Sequence, residues 1–288
     1  LNKMATTKLS KEGKDFIRMK CSGSGKSKLR GDASDKGGYK YNPTGVLPYC
    51  SPLTDVSTPW ISNPLINGGV TTNGELGEAL IRWYNQYAEE YSMDANIMAA
   101  QAYQESAWIV WNYAVNSSAS GISQFVAGTF YEAIMKNKRK DFTNAELVAL
   151  TQNMVDYTYS PGTPPENPFL VKYELGKKNR PILHQNIIDN PKIMIKAQFS
   201  YMKFISTRCD KMASCSLFGY NRGPYLTNSS SYSAWIAAAK SRSNNYENEG
   251  IIYVYRIFKL LYNNFGYKHL DITQKAATNF DGFNASLG

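Results

Sequence analysis

Apolar and polar positions follow a helical period over most of this chain, but only from about Asn73 onward. In "GELGEALIRWYNQYAEEYS" the apolar positions Leu76, Leu80, Trp83, Tyr84 and Tyr87 share one helical face. Asp94 is placed to cap the next segment, "ANIMAAQAYQESAW". "ISQFVAGTFYEAIMKNKRK" predicts a further helix, whose basic end suits the negative pole of the helix dipole. "FTNAELVALTQNMVDYTY" predicts another, capped at Thr143 or Asn144, and "SPGTPPENP" a loop. From Phe169 to Asn190, Lys and Arg mix with isolated apolar residues and no element is predicted. Pro191 can open a helix at its first position, and "KIMIKAQFSYMKFISTRC" continues it. A break is predicted at Gly223-Pro224. "SYSAWIAAAKSR" and "GIIYVYRIFKLLYNNFG" predict two more helices.

Residues 1–74 lack this period and are rich in Lys, Gly, Ser, Thr and Pro, which predicts an irregular basic N-terminal arm or small subdomain. Residues 75–266 then form a mainly α body, and 267–288 a weakly patterned tail. No internal repeat is evident. "SGSGKSK" (Ser22 to Lys28) supplies the second half of a phosphate loop, but the first glycine would fall at Lys20 and no buried strand precedes it. A flexible basic segment is the better reading.

The 288 residues, 43% of them hydrophobic, suffice for one large core or one core with an appendage. The net charge of +9 favours a polyanionic partner, or simply reflects solvated Lys and Arg faces. No stretch reaches the roughly 20 apolar residues of a membrane helix, and no apolar h-region opens the chain. The four cysteines, Cys21, Cys50, Cys209 and Cys215, fit two disulfides with three pairings open, and equally fit buried free thiols. Without CxxC spacing, and with only His184 and His269, no Cys/His zinc site is expected. No cofactor is expected either. The basic arm carries no recognised nucleic-acid-binding module.

Glu105 stands out. It sits among Ala99, Ala102, Tyr103, Trp108 and Trp111, and no Asp or Glu follows it until Glu132. Burial of a carboxyl disfavours its charged form, so such a group can hold a proton near neutrality and donate it. The competing reading is an exposed glutamate on a polar helix face.

Five blocks widen the view: "AAQAYQES" with Glu105-Ser106; "NSSASGISQF" with Gly121 and Gln124, followed by Thr129; "DNPKIMIKAQFSYM"; "GYNRGP" from Tyr220 to Pro224; and "EGIIYV" with Glu249 and Tyr253. In this order they resemble the catalytic domain of soluble lytic transglycosylases, the goose-lysozyme-like group of the lysozyme superfamily, over about residues 75–262. The resemblance implies a lysozyme-like α-helical fold acting on peptidoglycan glycan strands. Glu105 would be the single acid and base, forming 1,6-anhydro ends. Ser106, Ser118, Gly121, Gln124, Phe125, Tyr220, Asn221 and Tyr253 would line the substrate, with no metal. The acid-free interval after Glu105 fits one-carboxylate chemistry; Asp141, Glu146, Asp156 and Glu174 are candidates for a second carboxylate from elsewhere in the fold.

This chain departs from the family pattern. Ser123 stands where Met is usual, the Pro before the motif Thr is missing, Arg222 replaces a small residue, and an insertion is expected around 137–190. Glu249 reads as structural, an ion-pair partner. The opening "LSKEGKDFIRMKCSG" faintly resembles the first helix of phage-type lysozymes, but no carboxylate stands where that family has its acid. Two rivals remain open: a goose-type lysozyme that adds water, and a virion or secretion-machine protein that keeps the domain for binding. The expected setting is the bacterial cell wall, reached from a phage virion, by holin release or after leader removal, with residues 1–74 available to a virion or secretion partner.

Overall fold

The computed structural model describes residues 6–22, 26–31, 45–51, 70, 72–110, 112, 119–163, 166–167, 173–224 and 245–270. The chain is mainly helical. The helices used below are α1 (Lys11–Lys20), α2 (Asn73–Tyr91), α3 (Ala95–Ser106), α4 (Asn144–Thr151), α5 (Tyr173–Asp189), α6 (Pro191–Arg208), α7 (Ala213–Arg222) and α8 (Asn245–Asn264). An antiparallel pair joins β1 (Lys26–Gly31) to β2 (Gly45–Pro48), with Lys26 opposite Pro48 and Arg30 opposite Val46. No described helix is long and apolar enough to cross a membrane.

Two compact units divide the chain. One comprises residues 1–17, 81–104 and 198–288; the other comprises 18–80 and 105–197. This division cuts across the expected arm, body and tail. The expected irregular arm contains α1, capped by Ser10, whose hydroxyl oxygen accepts from the Gly13 amide at 3.0 Å. The arm reads as irregular because one turn of apolar contact, Phe16 and Ile17, is too short to stand out as a period. The segment taken as flexible after Lys20 includes strand β1. Tyr267 to Leu270, assigned to the tail, belong to a packed unit in which Leu270 is buried.

In the first unit, α3 is buried on every side from Ala95 to Ala102. Its polar side chains are therefore bonded internally, since an unsatisfied buried polar group costs about 1–3 kcal/mol. Gln198 donates to Gln101 Oε1 at 2.8 Å and to the Met98 carbonyl at 3.0 Å, while Tyr84 donates its hydroxyl proton to Gln198 Oε1 at 3.2 Å. Asp94 caps α3 as expected, accepting from the Asn96 amide at 2.8 Å. Burial pushes the Asp94 carboxyl up, an effect opposed by hydrogen bonds from the Tyr267 hydroxyl and from Asn96. A disulfide joins Cys209 to Cys215.

In the second unit the expected single helix over 122–140 is replaced by a turn at 121–124, a short α segment Ala127–Thr129, a π-helix Phe130–Lys136 and a 3-10 turn Arg139–Asp141. The i→i+5 bonding is visible as Asn137 N–H to the Glu132 carbonyl at 3.2 Å. The wider pitch lets Met135 join Phe130, Ala133 and Ile134 in the core, where an α period would turn the polar Asn137 inward. Helix α4 is capped at Thr143 through a full capping box with Glu146, but it ends at Thr151, short of the predicted Tyr159. Helix α5 occupies the stretch left without an element. Pro181 lies inside it and obscures the pattern by removing one backbone donor. The predicted helix over 231–242 lies outside the described residues.

Candidate active site

Glu105 is the penultimate residue of α3 and is half-buried. The chain leaves the helix through two consecutive left-handed residues, Ala107 at φ 52° and Trp108 at φ 57°. Such a conformation costs a non-glycine residue roughly 1–2 kcal/mol, so packing must hold it. Ala107 and Ile109 are buried against Tyr49, and the Cys50 amide donates to the Ala107 carbonyl at 3.3 Å. Cys50 is in turn bonded to Cys21 at the end of α1, which settles one pairing the sequence left open. Among the described residues no cysteine is free.

The segment Ser120–Phe125 forms a tight turn closed by reciprocal bonds, Ser120 N–H to Phe125 O at 3.1 Å and Phe125 N–H to Ser120 O at 3.2 Å. It is laced to the chain following Glu105. The buried Ser106 hydroxyl donates to the Ile122 carbonyl at 2.8 Å, and the Gly121 amide donates to the Asn112 carbonyl at 2.9 Å. Gln124 Nε2 donates to the Asn112 and Gly121 carbonyls at 3.1 and 2.9 Å. Gly121 sits at φ +76°, and a Cβ there would lie 2.8 Å from Ile187 Cγ2. Both the backbone and the space therefore require glycine.

The residues expected to touch substrate thus divide by role. Ser106 and Phe125 are buried in the turn's scaffold, with the Ser106 proton directed at a backbone carbonyl. Gln124 is half-buried, and its amide nitrogen shapes the turn. Ser118 lies outside the described residues. Thr129 is half-buried where the α segment passes into the π-helix. Ser123 is buried and donates to the Met194 carbonyl at 2.7 Å.

Tyr220, Asn221 and Tyr253 belong to the other unit. Tyr220 is half-buried at the end of α7, its ring centroid 5.2 Å from that of Tyr201. Asn221 Oδ1 accepts from Arg222 Nε at 2.6 Å, and Tyr253 is buried in α8. Arg222 also reaches Glu249 at 3.3 Å, the ion pair anticipated for that glutamate. A Cβ on Gly250 would lie 2.5 Å from Arg222 Cγ. The glycine therefore makes room for the arginine side chain.

Of the carboxylates considered as a second catalytic group, Glu146 is held by Lys196 at 2.8 Å and by the α4 cap. Asp141 is half-buried as the last residue of the 3-10 turn, and Asp156 is exposed. The Glu174 side chain lies outside the described residues. Among the described residues no three His, Cys, Asp or Glu side chains cluster to hold a metal.

His184, which the sequence left without a role, is buried in α5 with Nδ1 2.7 Å from Ser120 Oγ. Burial, reinforced by the charge of Arg180, lowers its pKa from 6.5 to about 4. Between those values the unfolded chain binds a proton that the folded chain does not, so stability falls as pH falls through that window. The contribution is roughly 3 kcal/mol at about 1.4 kcal/mol per pKa unit. Urea melts of the parent from pH 7 to 4 should show this loss in excess of that of His184→Gln. Equal pH dependence in the two proteins would remove the assignment.

No family model matches the chain, and no curated protein or solved structure matches it.

Proposed function

We propose that the chain is a peptidoglycan lytic transglycosylase with Glu105 as its one acid and base. The observation that carries this is the lacing of Ser106 and Asn112 to the Gly121–Gln124 turn. Two blocks that the sequence keeps apart share one hydrogen-bonded scaffold, with a half-buried carboxylate at its edge.

In the proposed reaction the Glu105 carboxyl gives its proton to the glycosidic oxygen as the bond from C1 of N-acetylmuramic acid to O4 of N-acetylglucosamine breaks. The C6 hydroxyl of the same muramic residue then attacks C1 and passes its proton to the Glu105 carboxylate. No water is consumed, and the product carries a 1,6-anhydro ring. One carboxyl suffices because acid and base act in sequence; a hydrolase needs a second group to activate water. Bound cysteines suit the cell-wall compartment, because disulfides persist where the surroundings are oxidising.

Mass spectrometry of digested peptidoglycan tests the reading. Fragments 18 Da lighter than hydrated ones, as loss of one water requires, are the expected product. Hydrated reducing ends would instead assign the chain to the goose-type lysozymes, and intact glycan would leave a binding protein.

A further inference from the structure

The departure around 137–190 builds a cleft of its own in the second unit. It holds about 200 Å³ and is lined by Arg139, Asp156, Tyr157, Tyr159, Thr163 and Glu166, among others. That is smaller than the roughly 300–1,000 Å³ of a drug-sized site and suits the charged groups of a short peptide, the rest of which would lie outside it.

Arg139 is fixed there by neutral groups. Its Nη2 donates to the Ser160 carbonyl at 2.7 Å, its Nη1 to the Thr163 carbonyl, and its Nε to the Tyr159 hydroxyl at 3.4 Å. The guanidinium lies 4.8 Å from the Tyr159 ring centroid, and Tyr159 is itself held by Asn144 Oδ1 at 3.0 Å. A guanidinium has five N–H donors, so two are not taken up by the described residues. Among the described residues no carboxylate is ion-paired with Arg139, although Asp156 and Glu166 line the same cleft. One preorganised cation and two exposed carboxylates, kept apart in one small cleft, complement a ligand that carries both charges.

We propose that this cleft binds the peptide stem of peptidoglycan, a carboxylate of the stem on Arg139 and a diamino-acid ammonium on Asp156 and Glu166. The inference rests on the transglycosylase reading for its choice of peptide, but not for the charge pattern. Bidentate guanidinium contact would fix the carboxylate, while the ammonium, a compact point charge, needs only proximity to the two acids.

The probe is the free tripeptide alanyl-γ-glutamyl-lysine, titrated into the full chain carrying Glu105→Gln and followed by NMR shifts or calorimetry. Saturable binding is expected, at least tenfold weaker once the lysine ammonium is acetylated or the carboxylates are amidated. It should weaken to the same extent in the doubly substituted Asp156→Asn, Glu166→Gln chain. Both of these side chains are exposed, so that chain should keep the parent's melting temperature. Absence of saturable binding, or equal binding of the capped peptides, overturns the proposal. A chain that binds the tripeptide while the parent cuts no glycan would sink the transglycosylase reading and leave the cleft; cutting without binding would do the reverse.

Discussion

A Glu105→Gln chain should release soluble glycan fragments about 10³-fold more slowly than the parent, within the range of about 10² to 10⁴ that a positioned general acid contributes. Glutamine keeps the shape and a hydrogen-bonding oxygen of glutamate but has no proton to deliver to the leaving oxygen. Because the same group is proposed to act first as acid and then as base, both halves of the reaction lose their catalyst. The substitution is isosteric and the side chain half-buried, so the melting temperature should stay close to that of the parent. Turbidity loss of purified cell walls, measured beside a thermal melt, separates chemistry from folding. A residual rate within tenfold of the parent, in a folded variant, would exclude Glu105 as the acid.

The second large effect concerns Cys21 and Cys50, which lie 29 positions apart. Cross-linking a loop of that length lowers the entropy of the unfolded chain by an amount worth about 3–4 kcal/mol. Cys21→Ser with Cys50→Ser should therefore cost several kcal/mol of stability in a urea melt. The loss should also be local. Cys50 donates to the Ala107 carbonyl, and the adjoining Tyr49 packs on Ala107 and Ile109, so the left-handed exit from α3 loses its brace. Amide exchange at residues 107–110 should accelerate more than exchange in the core of α3. Uniform acceleration across both would mean that the bridge supplies overall stability only. Removing Cys209–Cys215, six positions apart, should cost less, about 2 kcal/mol by the same relation.

Much of the helical framework is legible in the sequence because its helices are amphipathic or sharply capped. The apolar face of α2, the Asp94 cap and the Pro191 start all appear in the pattern. Where the sequence misleads, a tertiary demand overrides a local one. Residues 122–140 carry helix-forming side chains, yet Gly121 and Gln124 take positive φ and the following segment widens to a π-helix. Helix α5 is masked by its own Pro181 and charged residues.

For the site, the sequence points to Glu105 and to the blocks around it. It does not reveal that Ser106 and Ser123 direct their hydroxyls at backbone carbonyls, because a serine that braces and one that binds look alike in a chain of letters. The same limit hid the pairing of Ser120 with His184, which are 64 positions apart. The lone signal for it was a histidine flanked by Ile182, Leu183, Ile187 and Ile188.

The two bridges also differ in when they can form. The one at Cys209 closes a short turn in which Asp210 and Lys211 are left-handed and the Lys211 amide returns to the Ser206 carbonyl at 2.8 Å. Contacts across about ten residues are made within about 10–100 ns, so this bridge waits only on the arrival of an oxidant. The bridge at Cys21 must wait until the end of α1 and the segment before Ser51 have met. Trapping free thiols at intervals during refolding would therefore time two separate stages of maturation, with the disappearance of the Cys21 thiol marking assembly of the scaffold beside Glu105.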